Sequence, residues 1–373
     1  MIQTAHGIVT DIIRSKDEIQ EVYVDINGKR EKAINYPLIT GVSAIGHRVV
    51  VNTTAVALGL GTGGYHFIMH NLDSEINSSI KVSHHIMKLR YTPHQLATGS
   101  CEEQGSPYHE KFLQHQSIEG MPVLVGGLHS MLPIVVTYIK KIDPSLRIAY
   151  IMTDKASLPM AFSKHVERLN ENGWLDGTIT IGHSFGGDLE AVNIYTGLLA
   201  AKHILRADIT LVLMGPGIVG TGTPLGFSGM EQVEILHATH TLKGLPVSIP
   251  RVGEADLRKR HQGISHHTLT VLQHTLAPVY VPILEDVASK SDTSASLHRW
   301  IRGNREKIHR LEACLSQYPY AITTMGRSFQ DDPLFYESVG LAADFAMFIQ
   351  RAEASVLSDS EALGVLWKAS TIP

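Results

Sequence analysis

Three stretches of the chain hold residues whose types and spacing suit chemistry. The first is TITIGHSFGGDLEAV, residues 178–192. A β-run meets Gly182, His183, Ser184, Phe185 and Gly186, the G-x-S-x-G spacing that holds a nucleophilic serine on a tight strand-to-helix turn. Glycines suit such a turn because a Cβ would clash as the chain reverses. Nucleophilic catalysis by Ser184 would also need a base, an acid and an oxyanion hole. Asp256, which follows a later β-run, is the candidate acid, and His266 is the candidate base.

The second stretch is GPGIVGTGT, residues 215–223. It formally contains G-x-G-x-x-G, but in the dinucleotide fingerprint a helix opens within the motif. Here Pro224 and Gly226 intervene, and the spacing predicts a helix from Ser228 with Glu231 completing a capping box. No cofactor is therefore assigned. Backbone N–H groups freed of side chains can converge on an anion, and threonine hydroxyls can add donors. Gly215, Gly217, Gly220, Thr221, Gly222 and Thr223 become candidate ligand-binding residues, with Arg251 as a supporting cation. The competing reading is a long turn that packs on a neighbour.

The third stretch is HQGISHHTLT, residues 261–270. Ser265 is an expected N-cap, which puts His266 and His267 in the first turn of a helix. The positive helix end disfavours protonated imidazoles. Neutral rings there can donate to a ligand, act as a base or bind a metal. Yet no HExxH or paired-cysteine spacing exists, so no metal ligands are nominated and no tightly bound structural metal is expected. Asp154 and Asp188 also follow β-runs. Asp188 is expected near the start of a helix, where an acid is favourable in any case.

Those residues need elements to position them. Residues 1–72 are a series of short β-runs, among them QEVYVDI and HRVVVNTTAVAL, with NGKR as a hairpin turn. They read as a small β-barrel or roll. Residues 73–119 are less regular and form a bridging segment, with KVSHHIMKLRYTP as a further strand. From residue 120 to 373 apolar strand candidates alternate with helical patterns: PVLVGG, RIAYIMTD, TITIGH, ITLVLMG, PVSIPR, VYVPIL and YAITTM. Residues 132–141, 158–172, 189–205, 297–315 and 334–352 read as helical. Apolar strands separated by helices predict a doubly wound, mostly parallel, Rossmann-like sheet. Ligands bind such sheets beyond the carboxyl ends of the strands, where all three stretches fall.

Bulk properties exclude several classes. Of 373 residues 43% are hydrophobic and 18% charged, enough for a sizeable globular core. The net charge of -4 gives no broad basic surface, so no nucleic-acid partner is expected. Two cysteines, Cys101 and Cys314, are too few and too far apart for a disulfide framework, which fits a reducing, cytoplasmic setting. No apolar run approaches the roughly 18 residues of a membrane span, and the first residues read as a strand, not a signal peptide. A homo-oligomer is compatible with the sequence.

Taken together, the glycine loop, the serine turn GHSFGGDLEAVN and the run HQGISHHTLT resemble a bacterial family catalogued as domain of unknown function 3866. NYP at Pro37 and NTTAVALGLGTGG extend the likeness to nearly the whole chain. The resemblance implies an architecture and transfers no catalytic residue. The serine turn also resembles the α/β-hydrolases, over Gly182, Ser184 and Gly186. Their nucleophile is followed by an acid after one later strand and a histidine after another. Asp256 fits the first demand. His261, His266 and His267 come before VYVPIL, too early for the second, and His298 lies in a helical pattern. Ser184 is therefore read as a tight-turn residue beside a ligand. The main expectation is binding of an anionic small molecule, phosphorylated or carboxylated, at the strand C-termini, by an enzyme or by a non-catalytic binding or scaffold protein. A serine hydrolase using Ser184 is the alternative.

Overall fold

The computed structural model describes residues 1–61, 63–74, 84–289, 297–352 and 360–370, in two compact units, Met1–Ala97 and Thr98–Pro373. The first unit is a closed five-stranded barrel of β1 (Thr4–Ser15), β2 (Gln20–Ile26), β3 (Lys29–Asn35), β4 (Arg48–Asn52) and β5 (Tyr65–Asn71), in the order β1-β2-β3-β5-β4. Alternation explains it: Val22, Val24 and Ile26 point inward with Val9, Ala33, Val49, Val51 and Ile68. The NGKR hairpin is real, and Asn27 and Gly28 take φ 55° and 80°, the signs that a two-residue turn between twisted strands needs. Gly7 is forced by packing, since a Cβ there would sit 2.4 Å from Val24 Cγ1. Asn35 of the NYP motif is buried and donates to Gln20 Oε1 and to Gly41 O. The strand expected at KVSHHIMKLRYTP is reduced to Met87–Lys88, paired with Leu96–Ala97; residues 81–83 lie outside those described.

In the second unit the described residues form an eight-stranded sheet. Its strands are β6 (Pro122–Gly126), β7 (Ile148–Thr153), β8 (Gly177–Ile181), β9 (Leu189–Ala191), β10 (Ile209–Met214), β11 (Leu245–Ser248), β12 (Tyr280–Leu284) and β13 (Arg299–Gly303). They lie in the order β9-β8-β7-β10-β6-β11-β12-β13, and every pairing is parallel. Alternate strand residues feed two separate cores. Leu124, Tyr150 and Leu211 pack with the helices α1 (Met131–Ile142), α2 (Lys164–Glu171) and α6 (Pro333–Arg351). Val125, Ile151 and Val212 pack with α3 (Ile194–His203), α4 (Gln232–Thr241) and α5 (His266–His274). Buried on both faces, these strands must be apolar throughout, which is why they read as continuous runs. A last helix, α7 (Ser360–Ala369), buries Trp367, whose Nε1 donates to the buried Asp344.

Three local expectations need correction. Residues 189–205 are not one helix: β9 comes first, and the helix starts only at Ile194, where Asn193 and Thr196 form a capping box. Glu190 holds the strand in place by accepting from Thr180 Oγ1 and from Gly186 N. Residues 297–315 begin as β13, not as a helix. Leu297, Trp300 and Ile301 mimic helical spacing, but Ile301 is buried in the sheet and Gly303 fits where a Cβ would meet Leu341 and Trp367 at 2.8 Å. Finally, YAITTM is not a strand; only an isolated bridge joins Thr324 to Arg327.

Candidate functional site

The neighbouring strands β6 and β10 send their chains to opposite faces of the sheet. After β6 the chain enters α1 on one face, and after β10 it enters α4 on the other. Such a reversal opens a crevice at the strand C-termini. Two clefts lie along this edge, and they differ in charge.

The first is cationic. Gly220 and Gly222 of the glycine loop, Arg251, Arg258 and Arg260, and His261, His266 and His267 line a cavity of about 100 Å³. Liquid water occupies about 30 Å³ per molecule, so a small anionic group fits. Arg251 leaves the end of β11 with its side chain only 12% exposed. Burial lowers its pKa to about 10, so it stays charged at neutral pH. Asp256 is buried beneath the arginines: Arg258 Nη2 donates to it at 2.8 Å and Arg251 Nη2 at 3.3 Å, with Arg327 Nη2 at 3.8 Å. The Arg258 bonds hold its pKa far below the usual carboxylate range. Arg327 also reaches Asp332 at 3.4 Å.

Ser265 caps α5 as expected, accepting from His267 N, and it also bonds His261 Nδ1 at 2.7 Å. His267 lies flat on Phe227, with ring centroids 3.9 Å apart. Burial, then the neighbouring arginines, lowers His261 to about 4. Burial, then the other two imidazoles, lowers His267 to about 3, and burial with Arg260 also lowers His266. All three rings are neutral at physiological pH, so each has one nitrogen able to accept a hydrogen bond or bind a ligand.

The structure sorts the candidate residues. Gly220, Gly222, Arg251 and His266 line the cleft. Gly215, Gly217, Thr221 and Thr223 are not among its lining residues. Gly215 packs closely instead, since a Cβ there would be 2.8 Å from Ser157 O. Thr221 donates to Gly226 O, and Thr223 Oγ1 accepts from Gly226 N, so these hydroxyls shape the loop itself. Asp256 lies next to the cleft, engaged by arginines. Ser184 is fully buried, and its Oγ donates to Leu158 O. The turn around it is tight, with Gly182 at φ 63° and Gly186 at φ 89°. It joins strand to strand, however, and the elbow motif needs a helix directly after the serine. Asp188 does not start a helix either; it accepts from Thr178 N and Thr178 Oγ1 within the strand pair.

The second cleft is acidic and was not visible in the sequence. Asp154, Lys155, Asn193, Tyr195, Glu231, Glu234 and His237 line about 480 Å³ beside the ends of β7 and β8. The expected capping box at Ser228 does not form. Ser228 starts a 3-10 turn, and its Oγ accepts from Val219 N. Glu231 instead accepts from Thr153 Oγ1 at 2.7 Å, and burial raises its pKa to about 7. Asp154 accepts from His183 N and pairs with Lys155 at 3.2 Å. Tertiary burial, not local spacing, creates this protonatable carboxyl. The one local hint in the sequence was Asp154 after its β-run; Glu231, the last residue of the 3-10 turn, gave none.

Fold and clefts define a barrel-bearing, parallel α/β protein with two polar clefts at the strand ends. Residues 32–343 match the model of a family described as protein of unknown function (DUF3866), and the chain belongs to that family. No curated protein matches the chain. No helix among the described residues is long and apolar enough to cross a membrane.

Proposed function

We propose that the cationic cleft binds the anionic group of a small molecule, phosphorylated or carboxylated. The observation that carries this reading is the charge balance around Arg251. Arg251, Arg258 and Arg327 share Asp256 and Asp332, and Arg260 adds a fourth guanidinium at the cleft wall. Four cations thus stand against two carboxylates, in a cavity walled on one side by glycine backbone. A guanidinium fork matches the oxygens of phosphate or carboxylate, and partial burial strengthens that attraction. Gly222, at φ 80°, lets the loop backbone approach with no side chain between.

Isothermal titration with inorganic phosphate, sulfate and simple carboxylates tests the reading. Saturable binding is expected in the wild type. Arg251→Ala should weaken it by roughly ten-fold or more, the scale of one charge-assisted hydrogen bond. Gly222→Val should weaken it too, because a branched side chain at positive φ forces the loop to move. Wild-type protein that binds none of these anions would end the reading.

A further inference from the structure

We infer that His261, His266 and His267 form a three-imidazole site for a divalent transition-metal ion within this cleft, with zinc(II) or cobalt(II) as the chemistry it suits. The ligand atoms of the three rings already lie within 4.8 Å of one another. Two of the rings are held by separate constraints, and the third has an unpaired nitrogen. His261 Nδ1 is engaged with Ser265 Oγ at 2.7 Å, and in the tautomer in which Nδ1 donates to that hydroxyl, Nε2 carries the lone pair. A metal-binding histidine characteristically donates its other nitrogen to such a partner, which fixes tautomer and ring orientation. His267 is fixed by stacking on Phe227. His266 Nε2 is buried with no hydrogen-bond partner among the described residues. A buried polar atom left unpaired costs free energy, and a metal ion would satisfy it.

No known ligand spacing announces the cluster, because the three rings are not placed by one helix period. His261 comes from a 3-10 turn before the short strand Gly263–Ile264, and His266 and His267 from the first turn of α5. The strand pairing of Gly263–Ile264 with Val252–Gly253 folds His261 back over α5.

Nearby arginines would repel a bare cation, which decides the kind of site this is. Three histidines leave the fourth position of a tetrahedral ion for water or an anion oxygen. The excess positive charge of the cleft then favours metal and anion together over metal alone. That clause rests on the proposed anion binding; the three-histidine site does not.

The test is a titration of chelator-treated protein with Co²⁺ and Zn²⁺, with and without inorganic phosphate. One Co²⁺ per chain is expected, with the strong visible band of tetrahedral cobalt, and phosphate should tighten its binding. His261→Ala and His266→Ala should each weaken the metal by at least about ten-fold, and Ser265→Ala by about ten-fold through loss of ring orientation. His115, Glu119 and His203 form another group of possible ligands, but the two rings stack face to face and His203 Nε2 is engaged by Ser117 O. His203→Ala should therefore leave binding unchanged. Circular dichroism checks that each variant folds; should one not fold, X-ray absorption on the wild-type Co²⁺ complex counts the imidazoles directly. No saturable binding, fewer than three imidazoles, or equal affinity in the folded His261 and His266 variants would overturn the site. Phosphate bound by metal-free protein that takes up no metal would end the metal inference and keep the anion reading. Metal bound with no response to phosphate in either form would do the reverse.

Discussion

Glu231 and Gln232 are neighbours in the chain, yet they line different cavities. Glu231 closes the acidic cleft, while Gln232 faces a small recess that shares Ile218, Arg251 and His267 with the cationic one. The entry to α4 is thus a wall between two sites of opposite character. On one side charge is supplied by residue type, through arginines held near a glycine loop. On the other it is partly withheld by environment, since burial raises a glutamate's pKa to about 7. The first kind of site can be nominated from sequence, and the second cannot.

The largest effect expected from breaking this contrast comes at Asp256. Its carboxylate is the shared counter-charge of Arg251, Arg258 and Arg327, and its side chain is only 6% exposed. Removing one partner of a buried ion pair leaves uncompensated charge and costs about 3–5 kcal/mol. Arg258 is half-exposed and water screens it, so Asp256→Ala should lie near the lower end, about 3 kcal/mol. Phosphate or sulfate should restore part of that loss if the cleft admits anions. Urea unfolding with and without sulfate measures both. A variant as stable as wild type, or one indifferent to sulfate, would show that the cleft is not organised around this charge.

Glu231 should show the opposite linkage. Its folded pKa of about 7 stands above the ordinary 4.5, because burial outweighs the Thr153 bond and Lys155, and Asp154 and Glu234 add repulsion. Folding therefore binds a proton more tightly at this group. Its stabilising contribution is complete below pH 4.5, and it is lost as pH rises through 7. Glu231→Gln keeps a neutral acceptor for Thr153 Oγ1 and abolishes the loss. Relative to wild type the variant should gain about 3 kcal/mol between pH 4.5 and 7.5. Asp344, which burial pushes up to about 6, titrates in both proteins and cancels in the difference. A pH-independent difference would place Glu231 in contact with water and remove the contrast between the clefts.

What the residues revealed beforehand follows the same division. Alternation in β2, the Asn-Gly turn, and apolar runs separated by helices gave both the barrel and the parallel sheet. Ser265 announced its helix because capping is local. The errors came where long-range contacts overrode local pattern. Glu190 fastens a strand to Thr180 and Gly186, where the local pattern favoured helix. Ser228 looked like a cap but accepts from Val219 in the glycine loop, which freed Glu231 to reach Thr153. The histidine cluster was half legible. Its residues stood out, but their convergence depends on a two-residue strand pairing that carries no strong sequence signal.

The smallest effect is expected at Ser184, where the opening chemistry of the chain is decided. The serine hydrolase alternative needs its hydroxyl at a cleft, ready to attack. The structure gives it no exposed surface and ties it to Leu158 O across the turn that borders β8. Phe185 N also donates to Leu158 O at 2.9 Å, so that carbonyl keeps a partner when the hydroxyl is removed. Ser184→Ala should therefore lower stability by only about 1 kcal/mol, the net worth of one hydrogen bond. Anion binding at Arg251 should be unchanged, because Ser184 does not line that cleft. A fluorophosphonate probe should leave the native protein unlabelled, since a nucleophile must reach the phosphorus and this hydroxyl is covered. Stoichiometric labelling lost in Ser184→Ala would reverse the assignment. It would mean that the turn opens in solution to present the serine, and the nucleophile reading would then take precedence over a purely structural role.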